Sequence, residues 1–471
     1  MLLPHPWVIF GVGLGLLLGL WLLRRWIRRR VYRAAVRTRR ELGFHLNPVT
    51  VTRKQKLKRE LVEDPKLQAL VREECARTGT EEAQAWMRVT DYLDEIIPNF
   101  NLLTAYRFGK KAASFLLRSF YRVRIGRSAE AQLNRIPRNA SVVFVMNHRS
   151  NADYLLVAFL LANRVAISYA VGEWARIWPL ERLFKSFGSF FVRRKFRDPL
   201  YHAVLERYVQ RAVESGITQG IFLEGGLSRD GALQPPKLGL LDYMARANAK
   251  ALVFIPVGLN YDRVVEDSTL VRELSGLPRR GLRVNFRRSA FWLLGLMFRG
   301  ALGRFYRFGY AIANFGPPLS IADLAGDADI WGMDWEERKP VIGSMANRLL
   351  EAVGNQIPIT PVAMVAWCWM QMKSQSVSRM ALRQKALETM AWATERNLPL
   401  YMARGNFQRI FEMGLRVLTL RGLLLVDGDM IESDSSKIRL LHYYANSIAH
   451  HFDRNGSPDG RMAPAPGPPG H

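Results

Sequence analysis

The sequence predicts an α/β fold with a mixed, largely parallel central sheet flanked by helices. Between about Ala140 and Pro318, short apolar runs alternate with amphipathic ones, as strands and helices do when they follow each other in a parallel sheet. Hydrophobic residues make up 49% of the chain and charged residues 23%, which is normal for a folded protein and excludes wholesale disorder. Catalytic loops of such a sheet belong at the carboxyl ends of its strands.

Each predicted element corresponds to one run of residues in this part of the chain. Short β-branched or aromatic runs bounded by polar residues predict strands at 142–146, 165–171, 190–192, 220–223 and 252–259. The amphipathic stretches predict helices at 154–161, 180–187, 200–215 and 238–249. Further on, residues 340–353 predict a helix with its proline at the start, and residues 376–451 predict a helical C-terminal region.

The chain is expected to divide into five segments. They are a transmembrane anchor with a basic flank at 1–30, a strand-free helical neck at 31–138, the domain with the chemistry at 139–320, a helical C-terminal region at 321–454, and a Gly/Pro-rich disordered tail at 455–471. Cys75 and Cys368 are the only cysteines, and no Cys/His cluster accompanies them. A disulfide scaffold and a zinc or iron–sulfur site are therefore excluded, and we expect no metal.

The anchor is predicted from the uncharged residues 7–23, which are followed by a cluster of arginines. Arginines after an apolar run favour a short N-terminus that crosses the membrane and a chain that stays in the cytoplasm. The alternative, a cleaved signal peptide, should carry its positive charge before the apolar run. Gly11, Gly15 and Gly19 recur every four residues and could pair two such helices in a homodimer, although glycines are common in these helices. We expect a single-pass protein of a bacterial inner membrane, with its catalytic domain on the cytoplasmic face.

The net charge predicts a polyanionic neighbour. There are 68 Lys and Arg residues against 41 Asp and Glu residues, which gives a formal charge of +27. Residues 278–310 combine arginines with aromatic residues and contain no acid, which fits an interfacial surface or a core helix with arginines at its ends. Since no nucleic-acid motif accompanies the charge, we expect anionic membrane lipids and no nucleic acid as partners.

The most informative segment is 147–154, which follows one predicted strand and precedes a helix. His148 is a natural general base near neutral pH, provided that an acceptor holds its second ring nitrogen. Asp153 can be that acceptor, but only from a turn, because five residues within one helix would place the side chains roughly 140° apart. Ser150 followed by Asp153 is also a capping-box pattern, so Asp153 could serve the helix start, and both roles can hold.

Three further segments place charged residues or glycines after apolar strands. Segment 188–194 ends in Arg193 and Arg194, whose guanidinium groups suit a phosphate or form a solvated or lipid-facing pair. In segment 222–231, Glu224 could orient an arginine or a substrate hydroxyl, or else act as the acid of a helix start, and the glycines after it allow close approach of a ligand. In segment 254–263, Pro256 would shape a cleft wall.

In this order and spacing, the four segments resemble the glycerol-3-phosphate and lysophospholipid acyltransferase family, and most closely its glycerol-3-phosphate O-acyltransferase branch. That branch has a block like HRSHxDY, followed by GAFFIRR, FxEGxRSRxGK and IPVxxxYDR. The resemblance covers roughly residues 142–263 and implies the acyltransferase fold. It also implies acylation of glycerol 3-phosphate at a membrane, the first step of phospholipid synthesis.

The resemblance implies a role for each matching residue. His148 would be the general base on the acceptor hydroxyl, and Asp153 would orient it and stabilise the imidazolium. The hydroxyl oxygen would attack the thioester of acyl-coenzyme A or acyl-acyl carrier protein directly, which agrees with the absence of a GxSxG motif, and no other cofactor is implied. The implied substrate-binding residues are Arg193, Arg194, Glu224, Gly225, Gly226, Ser228, Arg229, Lys237 and Pro256.

Two positions depart from the family pattern. Leu227 stands where the family has an arginine, and Asn151 replaces the usual histidine of the first block. Losing a charge-assisted contact to a buried phosphate would cost roughly 1.5 to 3 kcal/mol. Either Arg229 or Lys237 substitutes, or the acceptor is lysophosphatidate, dihydroxyacetone phosphate or another molecule. A non-catalytic membrane scaffold is the remaining alternative, and the family spacing of the other site residues argues against it.

Overall fold

A computed structural model describes the chain at residues 54–98, 117–126, 129–137, 139–161, 167–172, 189–193, 196, 198–249, 251–274, 308–401 and 406–454. The predicted anchor with its glycines, the helix at 180–187, Arg194, the arginine-rich stretch up to residue 307 and the tail lie outside the described residues. Among the helices that are described, none has both the length and the apolar character needed to cross a bilayer.

An eight-stranded mixed sheet forms the centre of the fold. Its strands are β1 (Arg122–Ile125), β2 (Ser141–Met146), β3 (Ser168–Gly172), β4 (Phe190–Val192), β5 (Gln219–Phe222), β6 (Leu252–Tyr261), β7 (Tyr310–Phe315) and β8 (Leu319–Ser320). The order is β1-β7-β6-β2-β5-β3-β4, and β8 lies beside β6. Strands β2 to β6 are mutually parallel, whereas β7, β1 and β8 run antiparallel to them. The largely parallel α/β sheet predicted from the sequence is confirmed.

Helices cover both faces of the sheet. They are α1 (Lys54–Val62), α2 (Pro65–Thr78), α3 (Glu82–Ile96), α4 (Ala129–Asn134), α5 (Asp153–Leu161), α6 (Pro199–Glu214), α7 (Gly239–Ala245), α8 (Asp267–Leu274), α9 (Ile321–Ala325), α10 (Trp335–Gln356), α11 (Pro361–Met372), α12 (Arg379–Glu395), α13 (Phe407–Leu420) and α14 (Ile438–Arg454). One core joins α1–α3, α6, α7 and α10 to Val143 and Val145 of β2. The other joins α5 and α11–α14 to Val142 and Phe144, because successive strand residues face opposite sides.

Capping residues explain where several of these helices begin. Asp198 accepts from the backbone amide of Leu200 at the start of α6, and Thr360 accepts from the amide of Ala363 at the start of α11. A proline follows each cap at the first helical position, where its missing amide hydrogen costs no hydrogen bond. The cap at Asp198 agrees with the helix predicted at 200–215.

Three local predictions were wrong. Strand β1 lies inside the neck that was predicted to be free of strands, and it escaped notice because it is four residues long and pairs with β7. Helix α10 begins before Pro340, since Asp334 and Glu337 form a capping box at its start. The C-terminal region also contains a three-stranded antiparallel sheet of β9 (Ser376–Ser378), β10 (Leu424–Asp427) and β11 (Met430–Ser433). The two residues between β10 and β11, Gly428 and Asp429, are a hairpin signal, and Gly428 has a φ of 57°.

Candidate active site

His148 lies in the loop between β2 and α5. This loop leaves the carboxyl edge of the sheet, where β2 lies between the parallel strands β5 and β6. Met146 pairs with Phe222 of β5 and with Val257 of β6. The loop position that the spacing required is therefore the observed one. The ring atom Nδ1 of His148 lies 2.9 Å from Oδ2 of Asp153. Because the carboxylate can only accept, the ring proton is on Nδ1, and Nε2 carries the lone pair that a base needs.

The carboxylate of Asp153 is fixed by four donors, although its residue is 0% exposed. Besides the histidine ring, Oδ2 accepts the backbone amides of Arg149 at 2.7 Å and Ser150 at 2.9 Å. The hydroxyl of Tyr261 donates to Oδ1 at 2.6 Å. Asp153 thus holds the imidazole and also caps the loop amides. The capping box itself is incomplete, since the Ser150 hydroxyl accepts from Ala152.

Aromatic contacts and an amide bridge limit the freedom of the histidine loop. The ring of His148 stacks on Phe222 with 4.0 Å between centroids and meets Tyr154 edge-on at 5.6 Å. Asn147, the preceding residue, donates from Nδ2 to the Leu259 carbonyl at 2.9 Å and accepts from the Leu259 amide at 2.8 Å. The orientation of the imidazole is thus set before any substrate binds.

Glu224 supports the same loop from β5. Its two carboxylate oxygens accept the backbone amides of His148 and Gln234, each at 2.8 Å. Burial raises the pKa of Glu224 to about 7, and the two amides oppose that shift. The residue lies in a turn, so the alternative of an acid at a helix start does not apply. Its contact with the backbone amide of His148 was not predicted, and its role toward substrate stays a prediction.

The loop after Glu224 is shaped by glycine and by one serine. Gly225 has a φ of 67°, and a Cβ there would lie 2.8 Å from Cγ of Lys237. The amide of Ser228 donates to the His148 carbonyl at 3.0 Å, and its hydroxyl donates to the Ala232 carbonyl at 2.7 Å. Gly226 lies between these two residues. Leu227, where the family has an arginine, is half-buried against the core that contains α5.

The predicted phosphate-binding cations are spread apart in the structure. Arg193 pairs through two nitrogens with Glu95 of α3 and lies 4.7 Å from the Phe196 ring. Arg229 is exposed and pairs with Glu273 at 3.2 Å. Lys237 is exposed, and its backbone amide donates to Leu223. The substrate roles of these cations stay predictions.

Pro256 is buried in the middle of β6, in register with Val145. It falls between the residues that pair with β8 and those that pair with β7, where a missing amide hydrogen is tolerated. A Cβ on Gly316 would lie 2.8 Å from the Pro256 ring, so the proline packs closely against β7's exit. Its predicted substrate contact also stays a prediction.

Several residues of the site were missed by sequence reasoning. Phe222 and Tyr261 stand inside the quoted third and fourth segments, so their position was a usable signal. Glu266 also contributes, accepting from the Asn151 amide at 2.6 Å and from the Ser150 hydroxyl at 3.0 Å. Tyr443, on α14, donates to the Arg149 carbonyl at 3.3 Å, and no local pattern pointed to it.

Comparison with known proteins agrees with this geometry. Residues 129–260 match the acyltransferase domain family, and residues 289–455 match the glycerol-3-phosphate acyltransferase C-terminal region. The chain is 27% identical over 450 residues to a glycerol-3-phosphate acyltransferase of Shewanella sp. (strain MR-7), which covers 89% of this chain and 52% of the relative. It is 25% identical over 443 residues to that of Shewanella woodyi, with 88% and 52% covered. The chain thus spans about half the length of these curated relatives.

Among solved structures, the chain aligns with the crystal structure of the 1-acyl-sn-glycerophosphate acyltransferase from Thermotoga maritima. The TM-score is 0.30 and the identity 16%, over 64% of this chain and 95% of the other, and this similarity supports no conclusion. The two domain matches and the Shewanella relatives confirm the resemblance drawn from the four sequence segments: part of the chain matches the acyltransferase family, and most of it is similar to glycerol-3-phosphate acyltransferases.

Proposed function

We propose that this protein transfers a fatty acyl group from a thioester donor to a hydroxyl of glycerol 3-phosphate. The observation that carries the proposal is the buried pair of His148 and Asp153, whose Nδ1 and Oδ2 atoms lie 2.9 Å apart at the carboxyl edge of the sheet. A histidine held in this way presents Nε2 as a base. The family match supplies the reaction class, and the relatives' names supply the acceptor.

The reaction follows from the placement of these groups. Nε2 of His148 takes the proton of the acceptor hydroxyl while its oxygen attacks the thioester carbonyl. The carboxylate of Asp153 stabilises the imidazolium, and the two loop amides and Tyr261 keep that carboxylate in place. Collapse of the tetrahedral intermediate breaks the carbon–sulfur bond, and the imidazolium returns its proton to the leaving thiolate. No acyl-enzyme forms on this route.

The donor and the location are part of the same proposal. Both acyl-coenzyme A and acyl-acyl carrier protein are polyanionic, and the formal charge of +27 suits either of them as well as an anionic membrane surface. We propose that the enzyme works at the cytoplasmic face of a membrane, where the acylated product would remain. Stronger binding to anionic than to neutral liposomes is the expected result, with binding measured by flotation.

A second acceptor class is favoured by Leu227. This residue is half-buried against the core and brings no charge to the loop after Glu224. Arg229 pairs with Glu273 instead of standing free for a phosphate. Since the absence of the family's arginine removes one reason to assign glycerol 3-phosphate, the alternative acceptor is lysophosphatidate, dihydroxyacetone phosphate or another molecule, and it can be tested in the same assay.

The test is acyl transfer by the detergent-solubilised full chain. Palmitoyl-coenzyme A and palmitoyl-acyl carrier protein are each offered with glycerol 3-phosphate, dihydroxyacetone phosphate and lysophosphatidate. We expect the glycerol 3-phosphate reaction, and a loss of at least about hundredfold in His148→Ala. His450→Gln is the matched control, because that ring lies 3.0 Å from the Gly354 carbonyl and glutamine can replace the contact. Turnover of another acceptor alone would favour the alternative, and no His148-dependent transfer would contradict both.

A further inference from the structure

The C-terminal helix α14 contacts three loops that leave the carboxyl edge of the sheet. Tyr443 donates to the Arg149 carbonyl at 3.3 Å in the loop after β2, and Asn446 donates from Nδ2 to the Asp230 carbonyl at 2.9 Å in the loop after β5. After β6, the amide of Val264 donates to the Tyr444 hydroxyl at 3.1 Å. One helix therefore contacts the histidine loop and both loops beside it.

Arg149, the residue after the catalytic histidine, is held mainly by an aromatic ring. Its residue is 3% exposed, and its guanidinium carbon lies 4.6 Å from the centroid of Tyr443. Nη1 donates to the Gly231 carbonyl, whereas Nε and Nη2 have no hydrogen-bond partner among the residues that the structure describes. A buried guanidinium with one such bond needs another stabilising contact, and the ring face of Tyr443 provides it.

The backbone of the loop after β5 also meets α14 closely. Gly231 has a φ of 89°, and a Cβ at this position would lie 1.9 Å from the Tyr443 carbonyl oxygen. No side chain fits there, so the loop and the helix touch backbone to backbone. Arg149 also donates to the Gly231 carbonyl. Gly231 therefore contacts both the histidine loop and Tyr443.

We propose that Tyr443 is a positioning residue for acyl transfer. Its ring seats the guanidinium of Arg149, and Arg149 ties the histidine loop to loop 228–232, so that α14 sets where His148 presents its base nitrogen. The kinetic half of this inference rests on the proposed function, whereas the structural half does not. It gives the C-terminal region a role in catalysis without any contact to substrate.

Two substitutions separate the ring from the hydroxyl. Tyr443→Phe keeps the ring under Arg149 and loses only a long hydrogen bond, so we expect kcat within about twofold of the wild type. Tyr443→Leu removes the ring, and we expect kcat to fall about tenfold to hundredfold because a small misplacement of the base is costly. The KM for the acyl donor should change much less. Phe452→Leu is the matched control, since Phe452 is a buried aromatic residue of the same helix that stacks on Trp367 at 3.9 Å.

Hydrogen–deuterium exchange by mass spectrometry gives a readout that does not require turnover. Tyr443→Leu should speed exchange in peptides that cover 147–153 and 228–232, and Phe452→Leu should not. If the two variants show this pattern of exchange but the wild type shows no acyl transfer, the proposed function fails and the bracing by α14 stands.

The inference is overturned if Tyr443→Leu and Phe452→Leu lower kcat equally, or if exchange in the two loops is the same in both. Should Tyr443→Leu fail to fold, Asn446→Ala tests the same bracing, because Asn446 is half-buried and its amide contacts only Asp230 among the described residues. We expect faster exchange confined to residues 228–232 and a kcat lowered about twofold to fivefold. If both the exchange and kcat stay the same in Asn446→Ala, the proposal is contradicted.

Discussion

The candidate site has two parts that are held in opposite ways. The histidine end is His148 with Asp153, and the arginine end is Arg193 with Arg229. Asp153 is buried and accepts hydrogen bonds from the loop before it and from Tyr261, so these bonds fix the geometry of the His148–Asp153 pair. Arg193 instead depends on Glu95 of a distant helix, and Arg229 is exposed on the surface beside Glu273. An ion pair with an exposed member, such as Arg229 with Glu273, exchanges partners readily, whereas a buried and fully bonded carboxylate does not. The residues proposed for proton transfer are therefore held more tightly than those proposed for acceptor recognition.

Substitution of Asp153, which holds the ring of His148, should have the largest effect on kcat. In Asp153→Asn the side chain has one carbonyl oxygen for four donors, and its amide group would face a donor and cannot stabilise an imidazolium. We expect kcat to fall about 10²- to 10⁴-fold, measured as the initial rate at saturating acyl donor. Asp323→Asn is the control, since Asp323 serves an exposed capping box of α9 and should leave the rate unchanged. A rate above one tenth of the wild type in Asp153→Asn would contradict the assigned role.

The next test follows the ionisation of Glu224, which accepts a hydrogen bond from the His148 amide. Burial raises the pKa of Glu224 to about 7 from an ordinary value of 4.5, so the folded protein keeps this proton to a higher pH than the unfolded chain. Its contribution to stability is present below about pH 4.5 and is lost as the pH rises through about 7. We expect a loss on the order of 3 kcal/mol in the free energy of unfolding across this window, measured by denaturant titration.

Glu224→Gln isolates that contribution. Glutamine cannot ionise, and it offers one carbonyl oxygen to the two amides of His148 and Gln234, so the variant should be less stable at acid pH but show a shallower pH dependence. Asp262, whose pKa burial raises to about 6, is present in both proteins and cancels from the difference. Parallel curves for the two proteins would show that Glu224 titrates normally.

How far the sequence could predict the molecule follows the same division. His148 and Asp153 are only five residues apart, in the loop after β2 and at the first residue of α5, and their spacing alone required the turn that is observed. The alternating apolar runs predicted most strands because buried parallel strands are continuous apolar segments. Glu95 and Tyr443, in contrast, reach the site from far along the chain, and such contacts depend on tertiary packing that no local pattern encodes. The short strand β1 was lost for the same reason, since only its pairing with β7 defines it.

The role of Arg193 can be tested by comparing the two members of its ion pair with Glu95. Because Glu95 already occupies the guanidinium of Arg193, we expect Arg193→Gln and Glu95→Gln to act alike. Each should lower the free energy of unfolding by about 1.5 to 3 kcal/mol, measured by denaturant titration, and change the KM for glycerol 3-phosphate less than about threefold. A tenfold rise of KM in Arg193→Gln alone would instead show the phosphate contact that the family resemblance implied.

Leu227→Arg gives the smallest expected effect and bears most directly on the acceptor. The substitution restores the family's arginine in the loop after Glu224, where Leu227 now contributes a half-buried apolar contact. If glycerol 3-phosphate binds with its phosphate at this loop, the added guanidinium should lower its KM about tenfold, equivalent to about 1.4 kcal/mol. Leu227→Met keeps the apolar contact and should leave KM unchanged, which controls for repacking. An unchanged KM in a folded Leu227→Arg protein would place the phosphate of glycerol 3-phosphate away from this loop, so that the lost family arginine would no longer count against this acceptor.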